Sequence, residues 1–553
     1  MGEIDRGLAI GASAVAMFLA GTSFALSGTL GLGQPLAVGQ GASPTPTPSP
    51  DPLTASGYFR SFYLTRQNAS NNIGTQFNFA RGAKYNANAV NQASWSSAID
   101  LHAAYSFPGG GWSIGSTYLY ANPVNGPCVV AANHAKNAPY PSPNCVSQVP
   151  PNTDPDDTLP GFTLSTFYEA YLAYNAYGFA GMIGNQLFTS PWANPADGRL
   201  KPVAFQGADL AYTGLSRWTF EGADMIAFED RTSSTFSQQT MLTGYPAGGA
   251  GLPSNINNPG GPGINTGGFS YAKAGYAGMD KVFSADGYFY GVSNLVNMWW
   301  FDGKYTLGAI PQKPFIALEG GTESNAGSSY LGRIESEDFG AQLGADVVKN
   351  LQMAVGYDRI PWRNAVIFLP KGVTCSNSSN QISAKGATLA YFLPINAPQC
   401  FTNPNGTTQI YYGGWASPYT DSMSADPFFT TGMTQGMADR RAPGNAVRVA
   451  ATYTSSDKRM IFIASDARWN YGNALGPEKT HELSLDGQFH LSRVGAEPYR
   501  GLLLRYRYAM RTLSNTYCGA AGTNCIPGTV IGSPYLGGLP LFKYNRAQLE
   551  YDF

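Results

Sequence analysis

The chain has 553 residues, 12% of them charged and 13% aromatic, with 66 glycines and a formal net charge of −1. A charged fraction near half the usual ~25%, with no cationic excess, excludes the electrostatic attraction that nucleic-acid binding relies on. Mean hydropathy is slightly negative, and beyond Leu32 no apolar run reaches the ~18 residues that a spanning helix needs, which excludes a bundle of transmembrane helices.

In chain order, Leu8 to Leu32 is apolar and built of small residues. Residues 1–25 read as a secretory signal with Ser23-Phe24-Ala25 as a cleavage context. Glu3 and Asp5 beside a single Arg6 weaken its positive region, and a membrane anchor is the competing reading. Residues 26–53 carry the run Pro44 to Pro52, PTPTPSPDP, a stiff extended linker.

Residues 54–553 are a succession of period-two segments. They number 18: 55–65, 94–106, 111–120, 164–174, 179–187, 203–213, 217–229, 268–278, 286–299, 304–310, 314–321, 335–347, 351–359, 445–454, 459–468, 479–490, 499–511 and 541–553. In 338–347, Phe339, Ala341, Leu343, Ala345 and Val347 oppose Asp338, Gly340, Gln342, Gly344 and Asp346. One apolar and one polar face over about ten residues matches a tilted strand crossing a bilayer.

The connections alternate in length. Even-numbered segments are followed by brief turns such as 108–111, 175–178, 213–216, 349–350 and 455–458. Odd-numbered ones are followed by long polar stretches at 66–93, 121–163, 188–202, 230–267, 360–444 and 512–540. That asymmetry belongs to outer-membrane barrels, with short periplasmic turns and long external loops. An even strand count then puts both termini in the periplasm. One link breaks the rule: an external loop at Phe301-Asp302-Gly303 is only a hairpin turn. A soluble solenoid, propeller or sandwich also gives period two, but no motif recurs at a fixed period, and none of these explains the two-sided loop bias.

Six cysteines, Cys128, Cys145, Cys375, Cys400, Cys518 and Cys525, fall as three local pairs within the long stretches. In an exported chain these read as disulfides, paired by proximity alone. No histidine neighbours two of them, so no metal site is expected. The chain ends on Ala547, Leu549, Tyr551 and Phe553 alternating with Gln548, Glu550 and Asp552, a closing strand with an aromatic terminus.

Between the fifth and sixth segments stand Gln186, Pro191, Ala193, Asn194, Asp197, Arg199, Pro202, Phe205 and Gly207 in the order seen in the third loop of the OprD family of outer-membrane porins, which the chain resembles. The run Ser417 to Met433 resembles part of that family's seventh loop, and 18 strands with terminal Phe553 match as well. The resemblance implies a substrate-selective diffusion channel in the outer membrane, with no cofactor and no enzymatic step. Loops three and seven would fold inward as an eyelet, and a ladder of arginines would guide carboxylates. Small solutes, membrane lipid and the assembly machinery that reads the Tyr551/Phe553 terminus are the implied partners, and a homotrimer is admitted. A charged constriction with low-dielectric walls selects by sign.

Parity supplies the ladder candidates. Arg505, Arg507 and Arg511 share one face of 499–511, opposite Leu502, Leu504, Tyr506, Tyr508 and Met510. An arginine facing lipid at mid-depth costs about 2–4 kcal/mol, so that face looks inward. Arg448 looks inward by the same reasoning, and Arg60 is an addition from the first segment. The alternative is that these arginines simply pair with Glu482, Asp486 and Glu550. For the eyelet, Asp197, Arg199 and Lys201 are expected from loop three, and Tyr419, Asp421 and Asp426 from loop seven. Asp197 and Arg199 could instead pair to shape the loop.

Catalysis finds little support. Of the histidines His102, His134, His481 and His490, none sits in a nucleophile, metalloprotease or phosphate-loop motif. Asp100 beside His102, like Glu169, reads as lumen lining. The competing function is a non-conducting adhesin or scaffold barrel whose disulfide-stapled loops face outward.

Overall fold

The computed structural model describes residues 52–68, 91–124, 163–195, 199–231, 233–240, 265–278, 282–327, 334–361, 414–420, 426–440, 443–471, 478–491, 501–517 and 542–553, with short pieces at 153–154, 365–368, 373–376, 381–384, 387–389, 400–402, 408–412 and 526–527. The expected signal, and the linker up to Asp51, lie outside them. So do Cys128, Cys145, Cys518 and Cys525, and the side chains of Cys375 and Cys400.

Eighteen long strands make the wall: β1 (Leu53–Asn68), β2 (Asn91–Ser106), β3 (Trp112–Pro123), β4 (Leu164–Ala176), β5 (Phe179–Gln186), β6 (Ala204–Tyr212), β7 (Trp218–Glu229), β8 (Phe269–Gly278), β9 (Phe283–Val292), β10 (Val296–Thr306), β11 (Phe315–Asn325), β12 (Glu335–Val348), β13 (Leu351–Ile360), β14 (Gly444–Thr454), β15 (Met460–Tyr471), β16 (Glu478–His490), β17 (Gly501–Tyr517) and β18 (Phe542–Asp552). Each pairs antiparallel with the next. The last closes on the first, with Tyr58 opposite Asp552 and Asn68 opposite Phe542. Closure removes the edges of the barrel sheet, so the backbone groups of the wall strands find partners without water.

The period-two pattern decides which face each residue takes. On β12, Phe339 and Leu343 are 54% and 60% exposed, while Asp338 and Gln342 point inward and are buried. The same inversion runs around the barrel. Leu101, Ile114, Phe167, Ile183, Leu210, Trp299, Leu318, Val355, Leu504 and Tyr551 face out, and polar residues face in. A contiguous apolar exterior of this size suits lipid, not water.

Turns at one end of the barrel are tight. Tyr177 (φ 55°) and Gly178 (φ 80°) link β4 to β5, and Lys349 with Asn350 (φ 71°) links β12 to β13; left-handed positions let two residues reverse a twisted hairpin. The long connections all leave the opposite end.

The hairpin expected at Phe301-Asp302-Gly303 lies instead at 293–295, with Asn294 at φ 59°. Phe301, Asp302 and Gly303 are interior to β10, and the strands expected at 286–299 and 304–310 shift accordingly. The reason is packing: Trp300 faces inward and is fully buried, while Trp299 and Phe301 face outward. With both faces apolar, the alternation that marks a strand disappears there. A bulge on β4 also departs from strict parity. Thr117 pairs Glu169 and Tyr118 pairs Phe167, so Tyr168 is the extra residue, and both Tyr168 and Glu169 end up buried inside.

Candidate functional site: the lumen and its two inward loops

The loop between β5 and β6 turns into the barrel because its apolar residues have nowhere else to be buried. Phe188, Trp192, Leu200 and Val203 are each no more than 2% exposed. Ser190 Oγ donates to Ala193 O at 2.8 Å, shaping the tip. The return leg is held from β1, where Tyr58 donates to Leu200 O at 2.9 Å and Arg60 Nη1 donates to Arg199 O at 2.9 Å. Lys201 is sealed against β7, its Nζ 3.3 Å from Glu229 Oε1 with both side chains 0% exposed. Burial pulls its ammonium below the usual lysine range, and Glu229 and Asp230 oppose that shift.

The loop between β13 and β14 also enters the lumen, and aromatic rings join the two. Trp192 lies 5.2 Å, centroid to centroid, from Trp415 and from Phe428 of the second loop, and 5.2 Å from Trp300 on the wall. Nearby, Tyr419 packs on Phe269 at 4.8 Å and on Phe228 at 5.3 Å. Burial raises its phenol above the usual tyrosine range. These edge-on and tilted contacts fill the β6–β10 side of the lumen with ring surface.

Wall carboxylates fix the rest of this second loop by accepting its backbone N–H groups. Glu323 Oε2 accepts from Ala416 N at 2.8 Å, and Glu319 Oε1 from Phe429 N at 2.8 Å. Asp358 Oδ2 accepts from Thr430 N at 2.7 Å and from Thr430 Oγ1 at 2.6 Å. Glu482 accepts from Met433 N at 2.6 Å, from Thr434 N at 2.9 Å and from the Thr434 hydroxyl. Arg511 Nη1 donates to Thr434 O at 3.0 Å. Glu319 and Asp358 reach the loop together because Gly340 separates them on β12: a Cβ there would sit 2.2 Å from Asp358 Oδ1 and 2.9 Å from Glu319 Oε1.

On the β16–β18 and β1 side, the lumen is lined by guanidinium groups. Arg505 grips Asp486 through Nε at 2.9 Å and Nη2 at 2.5 Å, and Arg507 Nε reaches the same carboxylate at 3.0 Å. Arg507 stands directly opposite Arg546 in the β17–β18 register. Arg546 donates to Gln548 Oε1 at 2.7 Å, Gln548 donates to Glu550 Oε2 at 2.8 Å, and Glu550 pairs with Arg60. Arg546 also lies 3.9 Å over the Phe62 ring. The result is one continuous basic strip from Arg505 to Arg199.

The expected ladder residues Arg505 and Arg507 therefore meet in one strip. Arg511 is turned to the loop, and Arg448 lies between Glu482 and Asp358, its buried Nε without a hydrogen-bond partner. Of the expected eyelet set, Asp197 and Asp421 lie outside the described residues. Arg199 is buried and presents its carbonyl to Arg60, and Asp426 is buried and accepts from the Thr431 hydroxyl. Lys201 and Tyr419 are buried in packing and pairing, which makes them anchors of their loops, not groups a solute meets. Tyr551 and Phe553 face outward with stacked rings, and Phe553 exchanges two 2.9 Å backbone bonds with Gly57.

Sequence reasoning missed Arg546, although it shares the parity of inward Gln548 and Glu550. It also missed the strapping role of Glu319 and Asp358, which no local pattern signals. Asp100 accepts from Tyr168 at 2.6 Å, and His102 Nδ1 lies 2.8 Å from Thr117 Oγ1, which donates to Glu169 at 2.5 Å. All five belong to a satisfied lumen network on β2–β4.

No protein-family model matches the sequence, and no curated protein matches it. Solved structures share the fold. A BenF-like porin from Pseudomonas fluorescens Pf-5 superposes with a TM-score of 0.58 at 12% identity, over 91% of this chain and 98% of that one. OpdK of Pseudomonas aeruginosa, solved with vanillate, gives 0.55 at 12% identity over 91% and 98%. OccK2 (OpdF) of Pseudomonas aeruginosa, in complex with glucuronate, gives 0.56 at 10% identity over 91% and 98%. The fold is that of these 18-stranded porins.

Proposed function

We propose that this chain is an outer-membrane porin of OprD type that passes small carboxylate-bearing solutes by facilitated diffusion, with its turn end in the periplasm and its long connections outside. The observation that carries the reading is the basic strip facing two strapped inward loops. Arg507 and Arg546 are placed directly opposite each other, and like charges across a strand pair are destabilising. A fold that keeps such a pair in its lumen trades stability for an electrostatic function. Vanillate and glucuronate, the molecules named with two fold relatives, are both carboxylates, which supports an anionic solute. Arg505 and Arg507, whose side chains are 17% and 13% exposed, are the residues assigned to guide it, with buried Arg546 and Arg60 carrying positive charge behind them toward loop three. By the same reading residues 1–25 are a cleaved export signal, and Tyr551 with Phe553 is the terminus read by the assembly machinery.

The test is reconstitution of the full chain into planar bilayers and liposomes. Discrete conductance steps, with swelling faster in vanillate or glucuronate than in neutral sugars of similar size, are the expected result. A bilayer-inserted barrel that conducts nothing would instead be the plugged adhesin or scaffold.

A further inference from the structure

The outward face of the barrel is not uniformly apolar. Among the described residues, no lysine or arginine faces outward on β1–β11. Outward-facing cations occur on the other sector only: Arg359 on β13, Arg468 on β15, Lys479 on β16 and Lys543 on β18. All four lie within three residues of the strand end from which the long connections leave.

Their placement is ordered. Arg468 stands opposite His481 across β15 and β16, with side chains 35% and 40% exposed. One row nearer the turn end, Asp466 lies 3.2 Å from Arg468 Nε and 2.7 Å from His481 Nε2. That carboxylate holds one edge of the guanidinium through Nε. The adjoining row is amide: Asn470 Nδ2 donates to Asn445 Oδ1 at 3.2 Å, beside Arg359 and Lys479 in register. On the same face, Val447 stands level with Arg468, and Leu485 and Phe462 lie two and three rows nearer the turn end, all about 40% exposed, as lipid-facing residues are.

A patch holding Arg359, Arg468 and Lys479, with Asp466 within it, Glu335 and Glu337 on neighbouring β12 and apolar residues nearer the turn end, is placed at the depth of lipid head groups. Arginine forks match phosphate oxygens bidentately, and lysine adds a point charge. We propose that the β13–β18 sector at the loop end binds the phosphate groups of an anionic, multiply acylated glycolipid of the external leaflet, with Arg468, Lys479 and Arg359 as phosphate contacts and Asp466 as the group that orients Arg468. This rests on the membrane orientation proposed above. The acyl chains lie along the apolar band while the cations hold the head group, so one ligand satisfies both parts of the surface.

The test uses the full chain in detergent, delipidated and then titrated with a bisphosphorylated glucosamine-disaccharide lipid, its dephosphorylated form, or inorganic phosphate, with retained lipid read by native mass spectrometry. Wild type should retain the bisphosphorylated lipid in preference to the dephosphorylated one, and inorganic phosphate should compete only weakly. Arg468→Gln with Lys479→Gln should lose about fivefold in retention for each charge removed. Equal retention by the double variant, or equal retention of both lipids, overturns the proposal, and full displacement by inorganic phosphate assigns the patch to free phosphate and overturns it as well. Both substituted side chains face away from the lumen, so conductance in planar bilayers is the separate readout. A barrel that conducts without lipid preference sinks only this inference, whereas one that fails to insert sinks the porin reading beneath it.

Discussion

The two charged walls of the lumen do different things with the same kind of residue. On β11–β13, Glu319, Glu323 and Asp358 are buried and turned to the second inward loop, where their oxygens take up backbone N–H groups. On β16–β18 and β1, Arg505 and Arg507 share Asp486, and Arg546 is joined to Arg60 through Gln548 and Glu550. The acidic wall is a structural clamp because a loop backbone offers donors in fixed positions and a carboxylate is acceptor-only. The basic wall forms its pairs with side chains of its own and neighbouring strands, and leaves Arg505 and Arg507 partly exposed in the lumen. Inward charge is thus no measure of function by itself; what the charge is bound to decides it.

The sharpest way to break this contrast is to cut the clamp. Glu319→Ala with Asp358→Ala removes hydrogen bonds worth about 0.5–1.5 kcal/mol each. The thermal midpoint should fall, and single-channel current should become larger and noisier as the loop leaves the wall. An unchanged midpoint with quiet channels would mean that the aromatic contacts of Trp415 and Phe428 hold the loop alone. Next in size, Arg507→Gln should slow carboxylate flux in swelling assays by about tenfold, equivalent to about 1.4 kcal/mol, with neutral sugars unaffected. Equal slowing of both would return Arg507 to wall packing. The smallest effect is expected from Asp486→Asn, which frees Arg505 and Arg507 of their shared counter-charge. Anion selectivity in a salt-gradient reversal-potential measurement should rise about twofold, and a fall would mean that Asp486 positions the arginines more than it masks them.

Much of the barrel was legible because a two-residue period is a local property. Phe339, Leu343 and Val347 face lipid where the alternation placed them, and the strand count and the long-and-short rhythm of the connections match. Legibility failed where a wall strand was apolar on both sides. Trp300 is packed against Trp192 and Trp415, so the hairpin at Asn294 was displaced by several residues. It failed again at the β4 bulge, where Tyr168 joins Glu169 inside. In the lumen, parity found Arg505 and Arg507 and could have found Arg546. It had no means of separating Glu482, which straps a loop, from Asp486, which two arginines share.

What the sequence determined by itself is the inside and outside of each strand, since side chains alternate whatever the partner strand is. Only the closed tertiary structure decided which inward charges work as clamps and which form the basic strip. Those roles depend on contacts between residues tens to hundreds of positions apart, such as Arg60 with Glu550 and Thr430 with Asp358. No local period encodes such contacts, because strand closure and loop entry bring them together only after the wall has formed.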